Sequence, residues 1–416
     1  MKISLEHGSL CVCRKGGTDI VNNFRLLGQP GNMVSQRLRL SYILAALLFW
    51  CGRSDGAVVR YTVSLANPQR HAVQVTVTMD AGSSGFVDVR LPVWNALYQV
   101  RDFSQYVAEV HAASGARVEK FEKSAWRVTP TAPGPIAVHY RIVADRPGPF
   151  GAELDSRHAF LNPAQVLMYS DQHRQLPVEI RFENVPPGWR VATPLSEQEG
   201  VWQARNYDHL VDSPFEISAF DETAFSAGGG QYRIVVHAER GAYSMPDLRR
   251  MIERIVTFQT AMMNDVPFAR FTFLYHFRDG GGGGMEHADS TAIDAGPQRS
   301  SSDALRLASL TAHEFFHLWN VKRIRPRGLE PVDYSREQYT RALWFSEGVT
   351  STYGSYTLLR TGMISRERFL EEVARDISQL ESRPAALRQS VEEASLDAWL
   401  EKYPPYGSPE RSVSYY

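Results

Sequence analysis

The chain has 416 residues, which is enough for two or three domains that each bury a core of their own. With 43% hydrophobic, 22% charged and 11% aromatic residues, the composition excludes a disordered, collagen-like or disulfide-scaffold protein. Its 45 Lys and Arg residues against 46 Asp and Glu residues lack the basic excess of a nucleic-acid binder, so we expect no nucleic-acid partner.

Residues 1–56 are predicted to be a leader that contains a signal peptide. Arg37 and Arg39 form a positive region after Met33, which is a second candidate start, and the apolar run 40–50 that follows is shorter than a membrane span. The pattern predicts export, to the periplasm or another compartment outside the cytoplasm. A signal anchor or a buried helix is the alternative, and we expect membrane contact only through an uncleaved leader.

All three cysteines, Cys11, Cys13 and Cys51, lie in this leader. Residues 57–416 therefore have no thiol group, which excludes thiol catalysis and cysteine metal ligands in that part of the chain. A body without unpaired thiols fits an exported protein, because exported proteins meet oxidising conditions.

Residues 57–225 are predicted to form an antiparallel β-sandwich-like domain. Hydrophobic residues alternate with polar ones, as in the runs 59–65, 73–79 and 136–142, and this period of two places one face of each strand on a core. Gly and Pro clusters separate the runs. The segment 226–230, Ser-Ala-Gly-Gly-Gly, is interpreted as a joint between domains.

Residues 231–416 change to a mainly helical pattern after strands predicted at 232–238 and 270–277. A first helix is capped by Ser244, and Ser335 with Gln338 forms a predicted capping box for another, which Gly362 ends. The later helices are predicted at about 303–321, 336–359, 366–380 and 391–402. The whole chain is therefore predicted to have an α+β fold.

The segment 311–320, Thr-Ala-His-Glu-Phe-Phe-His-Leu-Trp-Asn, lies inside one of these helices. His313 and His317 are four residues apart, so they face the same side of the helix and can reach one zinc ion. Glu314 lies beside them and is placed to accept a proton from the attacking water. The alternative is a pair of histidines packed on a core helix.

A catalytic zinc ion commonly has three protein ligands, so a third donor is needed. Glu347, in the apolar segment 344–350, is the candidate, because its neighbours place it on a helix that must pack against the first. Gly348 would let the two helices approach closely. A solvated surface carboxylate is the alternative for Glu347.

Two segments, HEFFHLWNVKRIRP and LWFSEGVTSTYGSY, resemble the glycyl aminopeptidase family, family sixty-one of the metallopeptidases. The segments LPVWNALYQVRDFSQYV, DHLVDSPFEISAF, GGGMEHADST, SVEEASLDAW and SVSYY extend the resemblance over about 57–416. It implies a thermolysin-like zinc peptidase domain over 231–416. It also implies that His313, His317 and Glu347 bind Zn²⁺ and that Glu314 is the general base.

A glycine run at 280–284 precedes Met285 and Glu286. Gly283 and Gly284 can bring a substrate backbone close to a strand edge, and the resemblance implies that Glu286 holds the substrate ammonium group. The alternative is a flexible loop with a solvated carboxylate. The run lacks the Gly-Lys-Ser/Thr of a phosphate loop, so we expect no nucleotide partner.

Peptide hydrolysis also needs a donor for the developing oxyanion. The resemblance implies a tyrosine far downstream of the glutamate ligand, and both Tyr415 and Tyr416 are candidates. Because family members continue into a helical region and usually a PDZ domain, we expect the catalytic domain to be incomplete at its C-terminus.

These observations predict a zinc-dependent metallopeptidase that acts on peptide or protein substrates. The resemblance favours an aminopeptidase that prefers small N-terminal residues such as Gly or Ala. An endopeptidase with the same metal chemistry is one alternative. The other is a truncated, catalytically inactive protein that only binds peptides.

Overall fold

A computed structural model describes the backbone of residues 2–6 and 9–13, and residues 57–81, 85–95, 99–400, 410 and 412–416. The chain forms two compact units, Met1–Gly56 and Ala57–Tyr416. In the first, strands β1 (Lys2–Glu6) and β2 (Ser9–Cys13) pair in antiparallel register. Met33 and the run 37–50 lie outside the described residues, so the signal peptide stays a prediction. Among the helices that are described, none combines the length and apolar character needed to cross a membrane.

The second unit begins with a mainly β region. Its strands are β3 (Val59–Asn67), β4 (Ala72–Asp80), β5 (Val87–Arg90), β6 (Val107–Ala112), β7 (Arg117–Glu122), β8 (Ala125–Thr129), β9 (Pro135–Val143), β10 (Ala152–Leu154), β11 (His158–Leu161), β12 (Val178–Glu183), β13 (Arg190–Ala192), β14 (Ser196–Gln198), β15 (Val201–Ala204) and β16 (Phe215–Ser218). Two short helices, α1 (Pro163–Val166) and α2 (Tyr207–Val211), lie between them.

These strands form three sheets that surround one core. The largest has the order β14-β15-β12-β3-β4-β9-β6, a second has the order β10-β11-β16-β13, and a third has the order β5-β8-β7. The predicted strands at 59–65, 73–79 and 136–142 are the central strands β3, β4 and β9, whose alternating residues are buried. One pair, β3 with β12, is parallel, whereas the other neighbours in these sheets are antiparallel.

A five-stranded sheet and several helices follow. The strands are β17 (Asp221–Ala227), β18 (Gly230–Ala238), β19 (Phe271–Phe277), β20 (Gly284–Glu286) and β21 (Ser290–Ala295), in the order β17-β18-β19-β21-β20. The helices are α3 (Met245–Met263), α4 (Ser301–Phe316), α5 (Thr350–Arg360), α6 (Arg366–Glu381) and α7 (Val391–Leu396), and a π-helical segment, Trp344–Val349, leads into α5. The predicted α+β class, a mainly β region followed by a helical one, is confirmed.

The segment 226–230, predicted as a joint between domains, is instead the turn of a hairpin. Residues of β17 pair with β18 from Asp221↔Val236 to Ala227↔Gly230, so the boundary predicted at 225 falls inside the five-stranded sheet. Gly228 and Gly229 have positive φ values of 53° and 83°, which a tight turn requires. A glycine cluster permits a turn as readily as a linker, and the strand pairing determines which one forms.

The helix predicted from 336 to 359 begins later than expected. Residues 336–342 are not helical, because the capping groups of Ser335 and Gln338 are used within the preceding loop. The backbone N–H and hydroxyl of Ser335 both donate to Asp333, while the Gln338 side chain accepts from the Asp333 N–H and donates to the Pro331 carbonyl. The predicted capping box is therefore wrong. The helix predicted to reach 321 ends at Phe316, and residues 401–402 of the last one lie outside the described part.

Candidate active site

The three predicted ligand side chains lie together at the buried centre of the helical region. His313 and His317 face the same side of α4, and their Nε2 atoms are 3.0 Å apart. Oε2 of Glu347 lies 3.4 Å from the Nε2 atom of each histidine. Glu347 is 3% exposed and His317 is 1% exposed, so water screens this group little.

The π-helical segment Trp344–Val349 places Glu347 opposite the histidines. Asn320, just beyond α4, fixes this segment, because its Nδ2 group donates to the carbonyls of Phe345 at 2.8 Å and Ser346 at 3.3 Å. A π-helical turn is rare and often found at functional sites, since the extra residue per turn changes where a side chain points. Here the π-helical segment carries Glu347, the one acidic residue between Trp344 and Val349.

The close approach of α5 to α4 occurs at Gly354, not at Gly348 as we expected from the sequence. A Cβ atom at Gly354 would lie 3.4 Å from the His313 backbone nitrogen and 3.5 Å from its Cα atom. Gly348 instead faces the backbone carbonyl of Tyr415, at 3.1 Å from the position of a Cβ atom. The neighbours of the two glycines differ, and only the three-dimensional packing distinguishes them.

The second ring nitrogen of each histidine has its own partner. Nδ1 of His317 lies 2.6 Å from the carbonyl oxygen of Asn320, to which it can only donate, and Nδ1 of His313 lies 3.2 Å from Oγ of Ser351. A proton held on Nδ1 leaves the lone pair on Nε2 free for a metal ion. The arrangement therefore orients both imidazoles as ligands.

Glu314 and Glu286 add two further carboxylates. A ligand atom of each lies within 4.8 Å of one on His317, and the residues are 6% and 4% exposed. Burial, together with the negative charges of Glu286 and Glu347, raises the pKa of Glu314 to about 8. Glu314 therefore binds a proton far more readily than a carboxylate in water does.

The donor set fits a zinc ion. Two imidazole nitrogens and one carboxylate oxygen, buried and 3.0–3.4 Å apart, are donors that zinc prefers. Three buried carboxylates next to two imidazoles also need a positive charge. Burial alone would raise the pKa of Glu347, but the charge of His317 and hydrogen bonds from both histidines lower it to about 2. Burial likewise would lower the pKa of His317, whereas Glu347 raises it to about 10.

The glycine run leads into β20, which lies at one end of the five-stranded sheet. Gly283 has a φ of +113°, and a Cβ atom at Gly284 would lie 2.4 Å from the Glu314 carboxyl group. Glu286 ends the strand beside the site. Met285 points the other way: it is 3% exposed, and its sulfur accepts a hydrogen bond from Asn162 Nδ2 at 3.2 Å. The predicted contact of Met285 with substrate therefore stays a prediction, and only for its backbone.

The two predicted tyrosines differ in position. The ring of Tyr416 stacks on His313, with centroids 6.0 Å apart and planes 19° apart. Tyr415 is 6% exposed and packs in a hydrophobic cluster with Trp94, Leu343 and Val413. Of the two, Tyr416 is the one whose ring faces a metal-ligand candidate.

Two charged residues that the sequence did not assign to the site fix the turn after Glu286. Oδ1 of Asp212 lies 2.8 Å from Nζ of Lys322 and 3.0 Å from Nδ1 of His287, and Oδ2 accepts the Ala288 N–H. Asp212 lies in the family-like segment DHLVDSPFEISAF and Lys322 in HEFFHLWNVKRIRP. The resemblance of these two segments to the family was the sequence signal that could have pointed to Asp212 and Lys322. The pattern of residues within either segment does not predict that the two side chains meet.

Comparisons with known proteins relate the chain to peptidases. The model of the M61 peptidase N-terminal domain matches residues 60–219, and the M61 glycyl aminopeptidase model matches residues 306–416. Among solved structures, an aminopeptidase N family protein from Idiomarina loihiensis is 29% identical with a TM-score of 0.81, over 86% of this chain and 64% of that chain. The present chain thus spans less than two thirds of that protein.

A more distant solved structure is the M1 zinc metallopeptidase from Deinococcus radiodurans. It is 13% identical with a TM-score of 0.46, over 82% of this chain and 79% of that chain. Comparison with curated proteins gave no match.

Proposed function

The chain belongs to the M61 glycyl aminopeptidase family, and from this we propose that it is a zinc-dependent metallopeptidase that acts as an aminopeptidase. The observation that carries the proposal is the position of Glu347 Oε2, 3.4 Å from the Nε2 atoms of both His313 and His317, with Glu314 beside them. Alternatives that make the histidines core residues or Glu347 a surface carboxylate do not account for this buried group.

His313 and His317 would bind zinc through Nε2 and Glu347 through a carboxylate oxygen. When bound, zinc polarises a peptide carbonyl and makes water easier to deprotonate. Glu314, buried against Gly284, accepts the proton of the attacking water and passes it to the departing amine.

The substrate would lie along β20. Gly284 brings the strand backbone against Glu314, so a peptide that runs along this strand places its carbonyl near the general base. Glu286, at the end of the strand, would bind the free ammonium group of the substrate. We assign the oxyanion donor to Tyr416, because its ring stacks on His313.

The central test compares the wild-type chain with Glu314→Gln. Removal of the general base should lower kcat by about 10²- to 10⁴-fold on glycine and alanine p-nitroanilides, while the zinc content stays unchanged. Zinc removal with a chelator should abolish hydrolysis, and added zinc should restore it. If wild type and Glu314→Gln both bind zinc and neither cleaves any peptide, the chain is a binding protein.

The aminopeptidase assignment has a separate test. Peptides with a free N-terminus should be cleaved, whereas their N-acetylated forms should not, because they offer no ammonium group to Glu286. The Glu286→Gln variant should raise KM for free peptides by about 10-fold or more, the loss expected for a charged hydrogen bond. Efficient cleavage of the acetylated forms would favour an endopeptidase.

Export is also part of the proposal. It is supported by Arg37 and Arg39 before the apolar run 40–50, and by the absence of cysteine from residues 57–416. Cell fractionation should then find the protein outside the cytoplasm, and its N-terminal sequence should begin after residue 50.

A further inference from the structure

A second group of histidines and glutamates lies outside the candidate active site, between two sheets. His158 begins β11 and Glu216 lies in β16, which pairs with β11. His237 and His276 face each other across the parallel strands β18 and β19. Glu216 is 1% exposed, and His158 and His276 are each 5% exposed, so the group is buried.

The donor atoms of this group lie close enough together to hold one metal ion. Oε2 of Glu216 lies 2.9 Å from Nε2 of His276 and 3.4 Å from Nδ1 of His158, and one ligand atom from each residue lies within 4.8 Å of the others. Donors at about 2.0–2.2 Å from a tetrahedral zinc ion are about 3.3–3.6 Å apart. The Glu216–His158 distance of 3.4 Å has this spacing, and the Glu216–His276 distance of 2.9 Å would have to lengthen slightly when the ion binds. The same set, two imidazoles and one carboxylate, occurs at the candidate active site.

One oxygen of this buried carboxylate has no hydrogen-bond partner. Oε1 of Glu216 receives no donor within hydrogen-bond distance, and the nearest ring nitrogen, Nδ1 of His237, is 3.9 Å away. A buried carboxylate oxygen without a partner is costly. A cation that contacts both carboxylate oxygens of Glu216, beside the histidines, would satisfy Oε1.

The surroundings also resemble those of a metal site. Nε2 of His158, the nitrogen that faces away from Glu216, lies 3.5 Å from Oε2 of Glu153. A carboxylate on the far nitrogen commonly orients a metal-bound histidine. The ring of His237 stacks on His158 at 4.0 Å with planes 4° apart, which holds that ring in place. A cavity of about 660 Å³, lined in part by His158, His237 and His276, gives an ion access.

We propose that His158, Glu216 and His276 form a second zinc site, distinct from the candidate active site. The ligands come from β11 and β16 of the four-stranded sheet and from β19 of the five-stranded sheet. The ion therefore connects the two sheets, beside the hydrophobic contact made by Phe160, Phe220 and Leu274. Its role is structural, because binding energy at such a site adds to folding stability. This proposal does not depend on the peptidase assignment.

Measurement of the zinc content of the full chain tests the proposal. After saturation with zinc and gel filtration, wild type should contain two equivalents, while Glu216→Gln and the double variant His313→Ala/His317→Ala should contain one each. The chain with all three changes should contain none. His111→Gln, which alters an exposed histidine stacked on His139 with no carboxylate partner, should keep both equivalents.

A second measurement keeps Glu216 intact, since Glu216→Gln could fail to fold. Cobalt added to the metal-free His313→Ala/His317→Ala chain should produce visible absorption bands that saturate at one equivalent, and zinc should abolish them and raise the Tm. If this variant stays folded but binds neither metal, no second site exists and the cluster is only an ion-pair network. Failure of the peptidase assays would leave this result unaffected.

Discussion

Gly284 is the residue of β20 that lies against Glu314, the proposed general base. A Cβ atom there would lie 2.4 Å from the Glu314 carboxyl group, so Gly284→Ala must displace one of them. Since small displacements of catalytic groups can cost about 10²-fold, kcat/KM should fall by about that factor. Steady-state hydrolysis assays measure this, and zinc content should stay the same.

The matched control is Gly282→Ala, two residues earlier, where a Cβ atom would meet nothing within 4 Å. It should retain nearly full activity. Equal activity of the two variants would show that the contact between Gly284 and Glu314 does not matter for catalysis.

Ser351 contacts His313, one of the proposed zinc ligands. Its Oγ lies 3.2 Å from Nδ1 of His313, and loss of such an outer partner commonly weakens metal binding by about 10- to 100-fold. Ser351→Ala should therefore raise the Kd for zinc by that factor, measured by competition with a chelating dye. Thr352→Ala, whose exposed hydroxyl bonds only the Gly348 carbonyl, should change the Kd little. An unchanged Kd in Ser351→Ala would show that Ser351 does not influence zinc binding.

At the scale of elements, α5 packs closely on α4 at Gly354. A Cβ atom there would lie 3.4 Å from the His313 nitrogen, an ordinary contact, and alanine favours helices more than glycine does. Gly354→Ala should thus leave the free energy of unfolding unchanged or raise it by up to about 1 kcal/mol. Gly354→Leu adds bulk that the backbone of α4 cannot accommodate, and should lower it by about 1–3 kcal/mol.

Urea unfolding measures both changes. The two variants should change the free energy of unfolding in different directions. If α5 were simply sensitive to any substitution, both variants would be less stable than wild type. Stabilisation of Gly354→Leu would contradict the close approach of the two helices.

An element could be predicted from the sequence where neighbouring residues alone specify it. The separation of His313 and His317 follows from the helical repeat, and alternation alone located β3, β4 and β9. The start of the helix near 336 could not be found in this way, because Ser335 and Gln338 bind within their own loop. The contact of Gly354 with His313 is likewise tertiary.

At the scale of the whole molecule, Asp212 connects the β region to the helical region. Burial alone would raise its pKa, but the charges of Lys322 and His287 hold it well below the usual range. A group whose folded pKa is lowered stabilises the protein above its unfolded pKa, about 3.9, and loses that contribution as the pH falls. Asp212→Asn should lower the free energy of unfolding by about 1–3 kcal/mol at pH 7.

The difference between wild type and Asp212→Asn should persist from pH 7 to pH 5 and shrink below about pH 4, because acid neutralises the same carboxylate in wild type. Urea unfolding across this pH range measures it. Asp279→Asn is the control, since its ion pair with Arg299 is exposed and should matter little at any pH. A constant difference at all pH values would mean that the charge of Asp212 is unimportant.

The hairpin of β17 and β18 determines where this chain can be divided into fragments. A recombinant piece that starts at 231 would lose β17 and leave unpaired the edge of β18 that β17 covers, while the opposite edge stays paired with β19. Unpaired sheet edges of this kind promote aggregation. A piece that starts before Asp221 would keep the pairing, so insolubility of the shorter fragment would reflect the position of the cut rather than an inability of the helical region to fold.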